Sequence, residues 1–439
     1  MTSFAQTDID IKPACFTFSG ARELVSADRA KELLIGIASD VNFTSVNLSN
    51  KSYSDEAAII IGAALANHCE SVTSANLSDM IAGRQEEEAL RALKSLCDGL
   101  ANSKLAVLEC DDNAMGKPGV IACETVLRQK TLTHLSLMND GLSGEAAEQL
   151  ATILLGYPEE AVNCPPLETF HYHNNMSGDT GAIAIARIVR CCSKLRNFRF
   201  STTRSKQKGC LHIAQALDAL DTALFEHLDL SDNSFGGACA KALASFLLRQ
   251  TRLLSLTLRD SGLGEQGTQQ LSNALKIARP PLQKLDLSGN DIETEIGDSL
   301  VTIVKSVSHT LEELYLDDNS FGTEVGSQIA TALKDCKKLR KLSVNSCDLT
   351  ALGAYRIAKS VSGLPVFITL EMDGNQICAN GVECIKAVMN AAKKNLVTME
   401  DNDEDGDDDL EDELDNKEAV DTQDADADLV NALAAAKLI

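Results

Sequence analysis

Tryptophan is absent from the 439-residue chain, and aromatic residues together make up only 4% of it. An interior without large rings suits thin, repeated aliphatic layers better than one globular core, and the length exceeds what a single compact core usually holds. The fourteen cysteines contain no CxxC pair and no companion histidine spacing that reads as zinc, which sets aside zinc modules and disulfide scaffolds. Scattered thiols of this kind fit a reducing compartment. No apolar run approaches the roughly 18 residues of a membrane helix. The opening MTSFAQTDID lacks the basic and apolar regions of a signal peptide. A cytoplasmic protein without a membrane span is therefore expected. Also missing are GxxxxGK[ST], HExxH and GxSxG, so the chain is expected neither to hold nor to cut a nucleotide by itself, and to carry no cofactor or metal. Positive charge is scarce: of the net −24, residues 400–428 carry −16, leaving −8 elsewhere. Nucleic acid is not an expected partner.

What is present is a repeat. The pattern apolar, x, apolar, x, x, often Asn, x, apolar begins at Val46, Ala75, Leu108, Leu135, Phe170, Phe198, Leu228, Leu256, Leu285, Leu314, Leu342 and Leu370. Steps of 27–35 residues, settling at 28–30 from Phe170 onward, are those of a leucine-rich-repeat array. In LDLSDNSF, Leu228, Leu230 and Phe235 point inward, Asp229 and Ser231 face out, and Asn233 bonds backbone where the strand turns. Lys51 and Met80 are misfits in the asparagine slot. A helical pattern follows each strand, as with Cys239, Leu243, Phe246 and Leu247. The fold class is α/β: a leucine-rich-repeat solenoid, or horseshoe, of about twelve repeats with parallel strands on the concave face and helices on the convex face. The expected organisation is an N-terminal cap over 1–44, the repeat domain over 45–396 and an acidic disordered tail over 397–439. The cap contributes a CFTF strand and a helix starting near Ser26, with Leu24, Leu33, Leu34 and Ile37 as its apolar material.

Two repeats are long. In the repeat at Leu135 the excess follows the helix, in GYPEEAVNCPPLE; in the repeat at Ala75 it falls between strand and helix, around Met80 to Glu88. The second enlargement puts Gly83 and Arg84 on the rim at the strand C-terminal ends. A guanidinium there suits phosphate or carboxylate oxygens of a partner, although spacing alone favours a plain solvated loop arginine. Asn139 lies just before the asparagine slot, which Asp140 fills; it reads either as turn chemistry or as an amide presented to a partner. His171 and His173 flank Tyr172 as a strand pair.

The segments SDMIAGR ending at Arg84, LSLMNDGLS around Asn139 and YHNNMSGDTGA from Tyr172, with repeats leading directly into an acidic tail, resemble the Ran GTPase-activating proteins, in wording closest to plant members. The resemblance implies an activator rather than an enzyme, stimulating GTP hydrolysis by a Ran-like small GTPase in support of nucleocytoplasmic transport. GTP and Mg²⁺ would belong to that partner. It implies that Arg84 organises the interface without acting as an inserted finger, and that Asn139 helps place the catalytic glutamine of the GTPase. Asp79, Asp112, Asn113, Asp140, His173 and Asn174 are the expected partner-binding residues beside them. A Ran-binding protein is an expected additional partner, the chain a monomer, and its location cytoplasmic or perinuclear. Departures are the missing Trp-Pro-Pro targeting motif, the missing C-terminal modified domain, and Gln85-Glu86 where relatives place basic residues. A binding scaffold or inhibitor of the ribonuclease-inhibitor type, and a signalling or cytoskeletal adaptor, are the alternatives.

Overall fold

In the computed structural model the described residues are 15–18, 21–35, 43–156, 164–221, 225–403, 406 and 408–410. The chain divides into two compact units, Met1–Leu195 and Arg196–Ile439.

In the first unit the strands Cys15–Thr17, Ser45–Asn47, Ser74–Asn76, Val107–Glu109, His134–Met138 and Thr169–His173 pair in parallel, each with the next. The register aligns Phe16, Val46, Ala75, Leu108, Leu135 and Phe170 across the sheet, and all six are buried. Such stacking follows from side-chain alternation: a slip of one residue would turn every apolar side chain to water. Helices Asp55–Ala66, Glu86–Asp98 and Gly144–Leu155 cover the back of these strands with their buried alanine and leucine faces. The cap helix runs Ala27–Ile35. Leu24, read as helix material, instead belongs to a small parallel pair, Leu24–Val25 with Ser52–Tyr53, and is 67% exposed. Ile37 lies outside the described residues.

The enlarged connection is visible. Residues 77–85 separate the strand Ser74–Asn76 from the helix Glu86–Asp98, whereas 258–263 serve for the repeat with strand Ser255–Thr257. The enlargement in the repeat at Leu135 falls largely on 157–163, outside the described residues. The two misfits have physical accounts. Lys51 is 1% exposed because its ammonium donates to Ala21 O at 2.5 Å and meets Glu23 at 3.4 Å. Met80 fills its slot with apolar bulk while its backbone N–H donates to Asn113 Oδ1 at 2.9 Å.

In the second unit the strands from Asn197–Ser201 to Asn395–Leu396 pair in the same manner, aligning Phe198, Leu228, Leu256, Leu285, Leu314, Leu342, Leu370 and Leu396. Here the structure differs from the expected tail. Past Leu396 the described residues stay docked: Asn402 Oδ1 accepts the Asn375 N–H at 2.9 Å, and Leu410 is fully buried. The Asp409 carboxylate accepts the Leu352 N–H at 2.8 Å and the Thr350 hydroxyl, at the start of helix Ala351–Ser362. A carboxylate there meets unpaired N–H groups and the positive end of the helix dipole. Asp409, within the acidic run, is thus a cap residue. A chain shortened to residue 410 is expected to melt with the full-length protein. One shortened to 399 is expected to melt lower, since burying Leu410 alone is worth about 1.5–3 kcal/mol. Differential scanning calorimetry of the two truncations decides it; equal melting temperatures would remove the capping role.

Candidate functional site

The site is built on the turns that close the strands of the first unit. Four residues after each aligned apolar residue from Val46 to Phe170 the backbone takes positive φ: Asn50 at 59°, Asp79 at 52°, Asp112 at 60°, Asn139 at 55° and Asn174 at 51°. Asn and Asp tolerate this left-handed region best among residues with side chains. The turn lifts these side chains to the rim while the next residue points into the stack.

Three of the rim residues form a row. Asn139 Nδ2 donates to Asp112 Oδ1 at 2.9 Å, and Asn174 Nδ2 donates to Asn139 Oδ1 at 3.0 Å. All three are exposed. The Asn139 backbone N–H is held by His173 O at 2.9 Å. An amide has two donors and two acceptor lone pairs, so the Asn139 amide keeps one of each for a partner. Its orientation is set from both sides, which suits it to bond another side-chain amide. Met176, 58% exposed, lies two residues beyond Asn174; sequence reasoning passed over it, since a lone methionine in a turn gives no signal.

Arg84 does not join this row. Its Nη2 donates to Ser52 O at 2.8 Å and Val25 O at 3.4 Å, its Nε to Ser52 Oγ at 3.1 Å, and its Nη1 to Glu88 Oε1 at 3.2 Å. The side chain is only 15% exposed. The expectation of a solvent-facing loop arginine is therefore corrected. The guanidinium fork bolts the enlarged loop to the cap strand pair, adding a charged donor to two of its backbone carbonyls. Gly83, at φ 78°, makes the turn that allows it; a Cβ built there meets no atom within 4 Å, so conformation rather than crowding calls for glycine.

The remaining candidates fall into two classes. Asp79 pairs with Arg22 at 2.6 Å on the rim, and His173 is half-buried beside Asn174. Asn113 and Asp140, expected at a partner surface, are instead 4% and 0% exposed. The Asn113 amide donates to Leu77 O, Cys110 O and Asp111 O at 2.9, 3.0 and 3.2 Å, so it is spent on the backbone. Asp140 Oδ1 accepts the Asn113 N–H at 2.9 Å. Burial pushes the Asp140 carboxyl up to about 8. Burial also raises Asp111, whose Oδ1 accepts Ser136 Oγ and the Met138 N–H, each at 2.8 Å. Among the described residues no His, Cys, Asp and Glu cluster could hold a metal ion, and no helix is long and apolar enough to cross a membrane.

A leucine-rich-repeat family model matches residues 280–301 and 335–358. The chain is 35% identical over 121 residues to RAN GTPase-activating protein 1 of Arabidopsis thaliana, covering 27% of this chain and 23% of that protein. It is 26% identical over 292 residues to Ran GTPase-activating protein 1 of Saccharomyces cerevisiae, covering 64% of this chain and 71% of that one. This chain is a leucine-rich-repeat relative of the Ran GTPase-activating proteins. It spans less than a quarter of the plant protein's length. A ribonuclease inhibitor of Sus scrofa is 24% identical over 332 residues, covering 72% of this chain and 64% of that one. That match reaches further along the array at lower identity, as shared repeats alone would give.

Proposed function

We propose that this protein stimulates GTP hydrolysis by a Ran-like small GTPase, acting as an activator while the chemistry takes place in the partner. The observation that carries the reading is Asn139, an exposed amide fixed between Asp112 and Asn174, on a chain similar to Ran GTPase-activating proteins. The GTPase brings nucleotide, Mg²⁺ and the glutamine that positions water; Asn139 offers its remaining N–H and lone pair to that glutamine's amide. Arg84, bound up in its own chain, organises the docking surface and stays out of the nucleotide site. Part of the same proposal are a monomeric, cytoplasmic or perinuclear protein, a Ran-binding protein as further partner, and a place in nucleocytoplasmic transport.

The test is single-turnover hydrolysis by GTP-loaded Ran with this protein at one hundredth of its concentration. Activation predicts repeated use of each molecule and a rise of several decades, toward the roughly 10⁵-fold that activators of small GTPases supply. The second reading, a blocking scaffold, is favoured by the length of the ribonuclease-inhibitor match. It predicts one-to-one binding with no change in hydrolysis, and that outcome would replace the first reading.

A further inference from the structure

Under the exposed row lies a buried one. Met80 N–H donates to Asn113 Oδ1, Asn113 N–H to Asp140 Oδ1 and Asp140 N–H to Asn175 Oδ1, at 2.9, 2.9 and 3.1 Å. Each buried residue directly follows a rim residue: Asn113 follows Asp112, Asp140 follows Asn139, Asn175 follows Asn174. The buried ladder therefore sets the spacing of the exposed row.

Asp140 is the irregular rung. Where Asn113 and Asn175 turn their Nδ2 toward carbonyls, Asn175 toward Leu137 O at 2.8 Å and His173 O at 3.2 Å, Asp140 has an oxygen. That oxygen, Oδ2, is buried and has no hydrogen-bond partner. Asn113 reaches Leu77 O, Cys110 O and Asp111 O; one repeat on, the equivalent carbonyls are those of Cys110, Leu137 and Met138. An ionised carboxylate there would set negative oxygen against negative oxygen in a dry site, which is costly. A protonated oxygen would donate as the asparagine amide does.

We propose that Asp140 is held as a neutral carboxylic acid whose Oδ2 hydroxyl donates into this carbonyl group, and that it thereby positions Asp112 and Asn139 on the rim. The proposal rests on the activator reading for what the positioning serves, and on the chain alone for the proton. The charged and titratable groups around Asp140 agree with it. Asp111 and Asp112 of the preceding repeat oppose a further negative charge, and the thiols of Cys110 and Cys123 and the phenol of Tyr172 are the other titratable neighbours. None of these supplies a cation.

With the carboxyl raised to about 8, the folded chain keeps a proton that the unfolded chain releases near pH 4. The resulting stability is whole below pH 4, falls as pH rises, and is lost by passage through 8. Asp140→Asn replaces the hydroxyl by an N–H donor that never ionises.

Three measurements test this. Infrared difference spectra of wild type minus D140N are expected to show a protonated carboxyl band at pH 6.5 that vanishes at pH 10. The melting temperature of wild type is expected to drop against that of D140N between pH 6 and 9. Activation of the GTPase is expected to survive in D140N at pH 7, and to lose about tenfold in saturated rate by pH 9 in wild type only, as ten carboxyls ionise for each left neutral. Absence of the band, with parallel melting profiles, overturns the proton assignment. Full activation by Asp140→Ala, where Asn139→Gly has lost it, overturns the positioning role. If the band and the melting difference are found while neither protein stimulates hydrolysis, the neutral carboxyl is supported and only the activator reading falls.

Discussion

Replacing Asn139 by glycine is expected to cut the saturated rate of GTPase activation by about 10²–10³-fold, or about 3–4 kcal/mol of transition-state stabilisation, while leaving affinity for the GTPase nearly unchanged. Glycine rather than alanine is the informative change. Asn139 stands at φ 55°, where a Cβ costs roughly 1–2 kcal/mol; alanine would mix that strain with loss of the amide. Glycine accepts the conformation and removes only the amide that Asp112 and Asn174 hold in place. The melting temperature should stay close to wild type. Stopped-flow hydrolysis at saturating activator measures the rate, and equilibrium titration with the GTPase in its non-hydrolysable GTP form measures affinity. A wild-type rate from folded Asn139→Gly would end the proposed mechanism.

Arg84→Ala is expected to act differently, through the protein's own stability. Four hydrogen bonds vanish, the Ser52 and Val25 carbonyls lose a charged donor, and Glu88 is left half-covered without its cation. Hydrogen bonds to charged groups contribute about 1.5–3 kcal/mol each, but these are shared within one fork. A total loss of about 2–3 kcal/mol is expected. Arg84→Lys restores charge opposite Glu88 without the planar fork that reaches Ser52 and Val25 together, so it should recover only part. Urea unfolding gives the stability change. Activity assays at low temperature should show weaker binding and a lower rate together, since the loop and cap shift as one. Unchanged urea midpoints in Arg84→Ala would show that the fork does not fasten the loop.

The repeat was legible because the physics behind it is local. Alternating side chains and a recurring helix pattern specify both the strands and their register, so the stacking of Leu228 on Leu256 could be read directly. The position of the enlarged loop was legible too, from where its excess residues fell. What Arg84 does there was not. Glu88 lies only four residues away, but Ser52 and Val25 are 32 and 59 residues distant. Nothing in the local sequence tells which distant carbonyls the guanidinium reaches. Asp140 was recognised as filling an asparagine slot, yet its burial followed only from the neighbouring repeats. The end of the array was hidden by composition. Asn402 does the work of a slot asparagine, but sits among acids that read as a solvated tail.

The asparagine ladder also has a direction. In each unit there are slot residues whose backbone N–H is satisfied by a side chain of the repeat that follows, as Met80 depends on Asn113 and Cys347 on Asn375. These repeats do not complete their own turns. A nascent chain, emerging from its N-terminus, therefore holds such a repeat unfinished until the next has been made. Assembly is paced by arrival of the following side chain. The repeat with slot residue Asn375 waits in the same way for Asn402.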